Sequence, residues 1–242
     1  MSPRDRLIVA LDVSGIKQAE NIMARLGDNV SYYKVGSQLF TLCGPKIIEL
    51  IKRQGRKIFL DLKFHDIPNT VAKASLAAYE LGVDMFNMHA MGGVSMMESA
   101  AKAVADAAAS GKNPKPLMLG VTILTSIDKP TLKEVLGTTE RDISAQVLHL
   151  AGLSQRAGLD GVVASPHEIS LIRKSLGQSF VILTPGIRPA DSSADDQKRF
   201  LTPSQAIKIG ADYLVVGRPI TAAQDPADAA IKIIKEIEDA VK

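Results

Sequence analysis

Residues Lys57–Asp66 read KIFLDLKFHD, and the alternation within this stretch sets how the rest of the chain is read. Side chains along a strand point to opposite faces in turn, so Phe59, Asp61 and Lys63 share one face while Leu60 and Leu62 take the other. Leu60 and Leu62 suit a layer of covering helices, which aims Asp61 and Lys63 inward. Asp66 follows three residues later, just past the strand end.

Outward from this strand, short aliphatic or β-branched runs alternate with longer segments of helical period. The strand candidates are Leu7–Asp12, Tyr32–Gly36, Lys57–Lys63, Met85–His89, Leu117–Leu124, Gly161–Ser165, Val181–Pro185 and Tyr213–Gly217. Helices are expected over Asn69–Leu81, Val94–Ala109, Arg141–Ala157 and Pro226–Val241. Several strands, such as Leu214–Val216, are apolar nearly throughout, as parallel strands covered on both sides should be. Eight strand–helix units in 242 residues, with no linker rich in Pro, Gly or Ser, predict one α/β domain over residues 1–242, a single (β/α)8 TIM barrel. The competing fold is an open doubly wound sheet, but no GxGxxG turn follows the first strand.

Composition narrows the function. The 29 Lys and Arg are scattered and the net charge is only +3, which argues against a nucleic-acid partner and leaves room for a small anionic substrate. A single cysteine, Cys43, excludes an internal disulfide and a cysteine metal cluster, and reads as a packing residue. Met1–Arg6 is polar and no apolar run approaches the roughly 18 residues of a bilayer span, so a cytoplasmic protein with no membrane partner is expected.

Polar residues gather at the C-terminal strand ends: Asp12, Lys34, Asp61, Lys63, His89, Thr125 and Ser165. In a barrel these ends form the active-site mouth. Lys34, Asp61, Lys63 and Asp66 would form an alternating charge array there. Opposite charges about 4 Å apart interact by roughly 4 kcal/mol at an effective dielectric near 20, enough to hold the lysines rigidly. A purely structural ion-pair network is the alternative, but buried ion pairs are weak stabilisers, so the array asks for a chemical reason.

The seventh and eighth strands end in Thr184-Pro185-Gly186-Ile187-Arg188 and Val216-Gly217-Arg218-Pro219. Barrels often bind phosphate with these two loops, where Gly186 and Gly217 would admit the anion and Arg188 and Arg218 supply charge. The polar stretch between Pro189 and Leu201 is long for such a connection and reads as a binding loop, with Gln197 able to reach a ligand. Closure of that loop would expel water from the site. Among the histidines, His65 reads as orienting a turn and His89 as bracing the interior. His149 and His167 fall on helical or helix-start segments, and no pair has HExxH spacing. Ser165 reads as a helix cap.

These motifs resemble the bacterial orotidine 5′-monophosphate decarboxylase family over essentially the whole chain. The resemblance rests on LIVALD at Leu7–Asp12, YKVG at Tyr33–Gly36, DLKFHDIPNT at Asp61–Thr70, VTILTS at Val121–Ser126, TPGIRP at Thr184–Pro189, DQKR at Asp196–Arg199 and VVGRPI at Val215–Ile220. It implies a cofactor-free decarboxylation of orotidine 5′-monophosphate to UMP, with no metal. Lys63 would donate the proton, Asp61 would lie beside the substrate carboxylate, and Lys34 and Asp66 would complete the array. Asp12, Lys34, Asp66 and Thr70 would hold the ribose, Thr125 and Pro185 the pyrimidine, and Gly186, Arg188, Gly217 and Arg218 the phosphate, bridged by Gln197. Ile67 joins the binding residues. The resemblance also implies a homodimer in which Asp66 and Thr70 enter the neighbouring site.

The absence of any cofactor motif leaves electrostatics to stabilise the in-plane electron pair left on the ring. Two rivals remain: a magnesium-dependent sugar-phosphate decarboxylase or aldolase of the same superfamily, and a non-catalytic barrel that binds a phosphate ligand. The first should carry a glutamate at position 34, where this chain has Lys34. The second should have lost part of the array.

Overall fold

Eight parallel strands close into a barrel in chain order: β1 (Leu7–Ala10), β2 (Tyr32–Gly36), β3 (Lys57–Phe64), β4 (Met85–His89), β5 (Leu117–Val121), β6 (Gly161–Val163), β7 (Val181–Thr184) and β8 (Tyr213–Val216). The seam is β1 on β8, with Leu7 opposite Leu214 and Val9 opposite Val216. The structure is a computed structural model and describes residues 1–111, 113–137, 141–189 and 201–241. The outer layer includes α1 (Ile16–Leu26), α2 (Ser37–Cys43), α3 (Pro45–Arg53), α4 (Pro68–Glu80), α5 (Gly93–Ser110), α6 (Lys129–Leu136), α7 (Ile143–Arg156), α8 (Ile169–Leu176), α9 (Pro203–Lys208), α10 (Arg218–Thr221) and α11 (Pro226–Ala240). The barrel expected from the alternation of strand and helix is therefore present.

Boundaries differ from the sequence expectation in a consistent way. β1, β5, β6, β7 and β8 stop one to three residues early, because pairing ends where the chain turns into the mouth loops. Asp12, Ser165, Pro185 and Gly217 consequently lie just past strand ends rather than inside them, and Thr125, expected directly after its strand, lies four residues beyond β5. The expected Arg141–Ala157 helix begins at Ile143, since the Asp142 carboxylate accepts the Ala145 N–H at 2.7 Å and caps it there.

Alternation along each strand divides the core. Ile8, Ala10, Tyr32, Phe59, Met85, Leu119, Leu183, Tyr213 and Val215 fill the barrel interior. Their neighbours, among them Leu7, Val9, Tyr33, Val35, Leu60, Phe86, Leu214 and Val216, pack under the helices in the larger core. The same parity, carried two residues towards the mouth, gives Asp12 after Ala10, Lys34 after Tyr32, Asp61 after Phe59, Asn87 after Met85, Pro185 after Leu183 and Gly217 after Val215. The site is the top layer of the barrel's own packing scheme.

The opposite end is built for stability. Asp84, Asp160 and Asp212 each precede an even-numbered strand, and each accepts a backbone N–H from the preceding odd strand at 2.8 Å: Ile58, Met118 and Ile182 respectively. Their own amides return a bond to the same three residues. A glycine two positions earlier, Gly82, Gly158 or Gly210, turns the chain with positive φ each time. Arg173 on α8 adds a staple here, donating to the carbonyls of Gly177, Gln178, Phe180 and Gly210 and to the Asp212 carboxylate at 2.7 Å.

Candidate active site

Four charged side chains form a chain across the mouth. Lys34 Nζ lies 2.8 Å from Asp12 Oδ1 and 3.4 Å from Asp61 Oδ2, and Lys63 Nζ lies 2.6 Å from Asp61 Oδ1. The Lys34 and Asp61 side chains are 10% and 13% exposed, whereas those of Asp12 and Lys63 at the two ends are 60% and 33%, so the middle of the array is buried and both ends reach towards solvent. Burial pushes the Asp61 carboxyl upward. The charges of Lys34 and Lys63, with hydrogen bonds from Lys63 and Asn87, outweigh burial and hold Asp61 below its ordinary range. Asp61 is therefore an anion at neutral pH.

β3 is not the plain strand that the alternation predicts. Leu60 pairs with Phe86 and Phe64 with Met88, so four residues of β3 span two of β4. Inside this bulge Lys63 takes φ 53°, a left-handed conformation that costs a residue with a side chain roughly 1–2 kcal/mol. The Lys63 N–H is satisfied by the Oδ1 of Asn87 at 2.8 Å, and the Asn87 Nδ2 donates to Asp61 Oδ1 at 2.7 Å.

Asp66 does not join the array within one chain, which corrects the expectation from KIFLDLKFHD. Its carboxylate is exposed and accepts the Ile67 N–H at 2.6 Å, because the turn into α4 carries it out of the mouth. Asp12 takes its place beside Lys34. Thr70 is exposed on the first turn of α4, and Ile67, 66% exposed, precedes that helix. The His65 and His89 rings meet at a tilt of 41° with 5.4 Å between their centroids. Burial, then the nearby charges of His65 and Lys63, lower the His89 pKa despite Asp61, which keeps His89 neutral at pH 7. Ser165 caps the short turn Pro166–Glu168, as its sequence context suggests.

Two cavities adjoin at the mouth. One of about 220 Å³ is lined by Lys34, Asp61, Lys63, Thr125, Pro185 and Val215, with apolar neighbours such as Phe59 and Val121. The other, about 510 Å³, shares Ile123, Leu124 and Thr125 with it and reaches Gly186. The smaller cavity is walled by Lys34, Asp61 and Lys63 of the charge array, and the larger, which also carries Asp128, Lys129 and Glu168, opens beside it.

At the anticipated phosphate end, Gly186 has φ 75°, which reserves the position for glycine. Ile187 pairs with Leu201 and the Arg188 N–H donates to the Leu201 carbonyl at 3.2 Å, bringing both sides of the intervening segment together beside β7. Gln197 lies outside the described residues. Arg218 is exposed at the start of α10, and Gly217 sits against Ala10 and Asp12, so this end joins the charge array through β1 and β8. The structure thus brings Asp12, Lys34, Asp61, Lys63, Thr125 and Pro185 together. Asn87 is the member that no sequence motif marks; interior parity, two residues past Met85, is the signal that finds it.

Comparison with known proteins extends the picture over the whole chain. The orotidine 5′-phosphate decarboxylase / HUMPS family model matches residues 5–233. The chain is 52% identical over 239 residues to orotidine 5′-phosphate decarboxylase of Syntrophotalea carbinolica, covering 99% of this chain and 97% of that protein. It is 50% identical to the enzyme of the same name from Moorella thermoacetica, covering 98% and 94%. Among solved structures, orotidine 5′-phosphate decarboxylase from Lactobacillus acidophilus superposes with a TM-score of 0.84 at 40% identity, covering 96% of this chain and 98% of that one.

Proposed function

This chain belongs to the orotidine 5′-phosphate decarboxylase family and decarboxylates orotidine 5′-monophosphate to UMP in pyrimidine biosynthesis, and on that premise we propose how its side chains carry the reaction. The observation that carries the proposal is the Asp12–Lys34–Asp61–Lys63 ion-pair chain on the wall of the 220 Å³ cavity. The pyrimidine occupies that cavity, with its carboxylate facing Asp61 and its edge near Thr125 and Pro185. The bond from the ring carbon to the carboxylate breaks, carbon dioxide leaves, and the electron pair stays on that carbon. Lys63 stabilises the pair as an ammonium and then gives it a proton, becoming a neutral amine that regains its proton from solvent. No cofactor enters this sequence. Asp61, held anionic, pairs with the Lys63 ammonium at 2.6 Å and repels the substrate carboxylate.

Asp12 and Lys34 bind the ribose hydroxyls. Gly186, Arg188, Gly217 and Arg218 bind the phosphate, and Gln197 bridges phosphate and base. Binding energy at this remote end holds the ring against Lys63. Lys34 also favours this reading over a magnesium-dependent sugar-phosphate enzyme, since its ammonium opposes a divalent cation between Asp12 and Asp61.

On this reading the protein works as a cytoplasmic homodimer, with Asp66 and Thr70 of each subunit entering the other's site. Support comes from their exposure in the single chain, and from exposed Leu42 on α2 and exposed Met91 in the turn after β4. Among the described residues no helix is long and apolar enough to cross a membrane.

Ultraviolet absorbance of orotidine 5′-monophosphate with the purified protein in excess chelator tests the cofactor-free reaction. Lys63→Ala should lower kcat by about 10³-fold or more while UMP still binds. Turnover that survives Lys63→Ala would show that Lys63 is not the proton donor.

A further inference from the structure

We propose that Asn87 is a positioning residue for the decarboxylation, a single amide that fixes the Asp61 carboxylate and the backbone of Lys63 together. The proposal rests on the roles assigned above to Asp61 and Lys63. Asn87 is 1% exposed, in the middle of a strand whose other members are Met85, Phe86, Met88 and His89. A polar side chain in such a place is costly unless both its donor and its acceptor are used. Both are used, and both act on the array: Nδ2 donates to Asp61 Oδ1 at 2.7 Å, and Oδ1 accepts the Lys63 N–H at 2.8 Å.

Only a side chain with donor and acceptor side by side can make this pair of bonds. The second bond holds Lys63 in the left-handed bulge, and that backbone lets its ammonium fold back to Asp61 at 2.6 Å from only two residues away. Without Asn87 the bulge loses its anchor and Asp61 loses one of the two donors to Oδ1. The proton donor then drifts relative to the reacting carbon, while the ribose and phosphate contacts, made by other residues, stay in place. Asn87 should therefore govern turnover more than binding.

The groups facing Asp61 are Lys34 from β2, Lys63 within β3, and Asn87 and His89 from β4, with His65 set against His89 and Asp12 reaching Asp61 through Lys34. Asn87→Asp keeps the size and the acceptor for the Lys63 N–H, but sets a second carboxyl against Asp61. Two carboxyls in contact share a proton, so the acid limb of kcat/KM should move to higher pH.

The test is steady-state turnover of orotidine 5′-monophosphate across pH, with UMP affinity and melting temperature, for the wild type, Asn87→Ala, Asn87→Asp and Lys63→Ala. Asn87→Ala should lose about 10-fold or more in kcat while UMP affinity stays within about 3-fold, and Asn87→Asp should shift the acid limb upward. An unmoved acid limb in Asn87→Asp overturns the proposal, as does a loss of UMP affinity in Asn87→Ala as large as its loss of kcat. If the alanine variant does not fold, the isosteric aspartate variant decides alone. Lys63→Ala separates the two claims: full turnover in it sinks the assignment of the site itself, whereas an inactive Lys63→Ala beside an Asn87 series like wild type sinks only the role of Asn87.

Discussion

The ammonium of Lys34 reaches to 3.4 Å from Asp61 Oδ2 across the seam between β2 and β3, although the two residues are not partners in the ladder. Lys34 pairs with Phe59, and Asp61 pairs with Gly36. The lysine therefore runs up the barrel wall past Gly36, and the bareness of that glycine gives it room. A Cβ at position 36 would stand 2.9 Å from Lys34 Nζ and 3.3 Å from Asp12 Oδ1.

Gly36→Ala should displace that ammonium from between its two carboxylates. The displaced group is the free end of a flexible side chain and the backbone at Gly36 is extended, with φ −90°, so the fold itself should tolerate the methyl group. Misplacement of a catalytic charge by about 1 Å can cost on the order of 10²-fold in rate. The expected result is a drop of that order in kcat/KM with a melting temperature close to wild type. Wild-type kinetics would show that Lys34 does not need its present position.

Removing Lys34 altogether changes the titration of Asp61. Burial is the strongest influence on that carboxyl and raises its pKa; the Lys34 charge is the largest influence opposing it. In the wild type the folded value lies below the ordinary 3.8, so Asp61 contributes stability that is fully present above 3.8 and is lost as pH falls through the lower folded value. In Lys34→Met the folded value rises, so the loss of kcat/KM begins at higher pH, while the stability that ionised Asp61 contributes shrinks. At pH 7 the variant should be weaker by about 1–3 kcal/mol, because a part-buried carboxylate has lost a partner. Denaturant melts of the two proteins between pH 4 and 7 should converge as the pH falls, because protonation of Asp61 removes the charge that Lys34 stabilises. Parallel curves at all pH values would contradict this coupling between Lys34 and Asp61.

Much of this arrangement is legible in the chain itself. Hydrophobic runs at regular intervals specify the strands, and the parity of KIFLDLKFHD places Asp61 and Lys63 inside, because a barrel interior admits only one face of each strand. What parity cannot supply is the bulge at Lys63, since an irregularity of pairing depends on the partner strand as well as on its own residues. Asp66 misleads for a related reason: proximity in sequence after a strand end says nothing about the direction in which the following turn leaves. Asn87 is readable in principle, yet a lone amide among Met and Phe carries no motif. The Gly-x-Asp repeat before β4, β6 and β8 is equally visible in the chain, but its meaning, a carboxylate closing on the neighbouring strand, needs the barrel to be seen.

The proposed sharing of sites across a homodimer predicts complementation. Lys63→Ala and Asp66→Ala should each be nearly inactive alone, since each damages both sites of its homodimer. After mixing and subunit exchange, a mixed dimer has one site with both residues intact and one lacking both. About a quarter of wild-type activity should return if exchange is statistical. Recovery in an exchanged mixture confirms that Asp66 acts on the partner's site, whereas no recovery after demonstrated exchange would return Asp66 to its own chain.

The bottom of the barrel offers a control in which stability and catalysis separate. Arg173 is 8% exposed, and its guanidinium satisfies four carbonyls and the Asp212 carboxylate. That carboxylate in turn accepts the Ile182 N–H at 2.8 Å and ties β7 to the loop entering β8. Arg173→Met would keep much of the aliphatic stem but leave these acceptors unpaired beside a half-buried carboxylate, a change that costs about 3–5 kcal/mol when a buried charge loses its partner. Gly210 is part of the same joint, since a side chain there would press on Arg173 at 3.1 Å from Nε. All of this lies at the end of the barrel away from Lys63. The folded fraction of Arg173→Met at low temperature should therefore turn over substrate at the wild-type kcat, while its denaturation midpoint falls sharply. A variant that kept its midpoint would remove Arg173 from the role of staple, and one that lost kcat while fully folded would show that the two ends of the barrel are coupled.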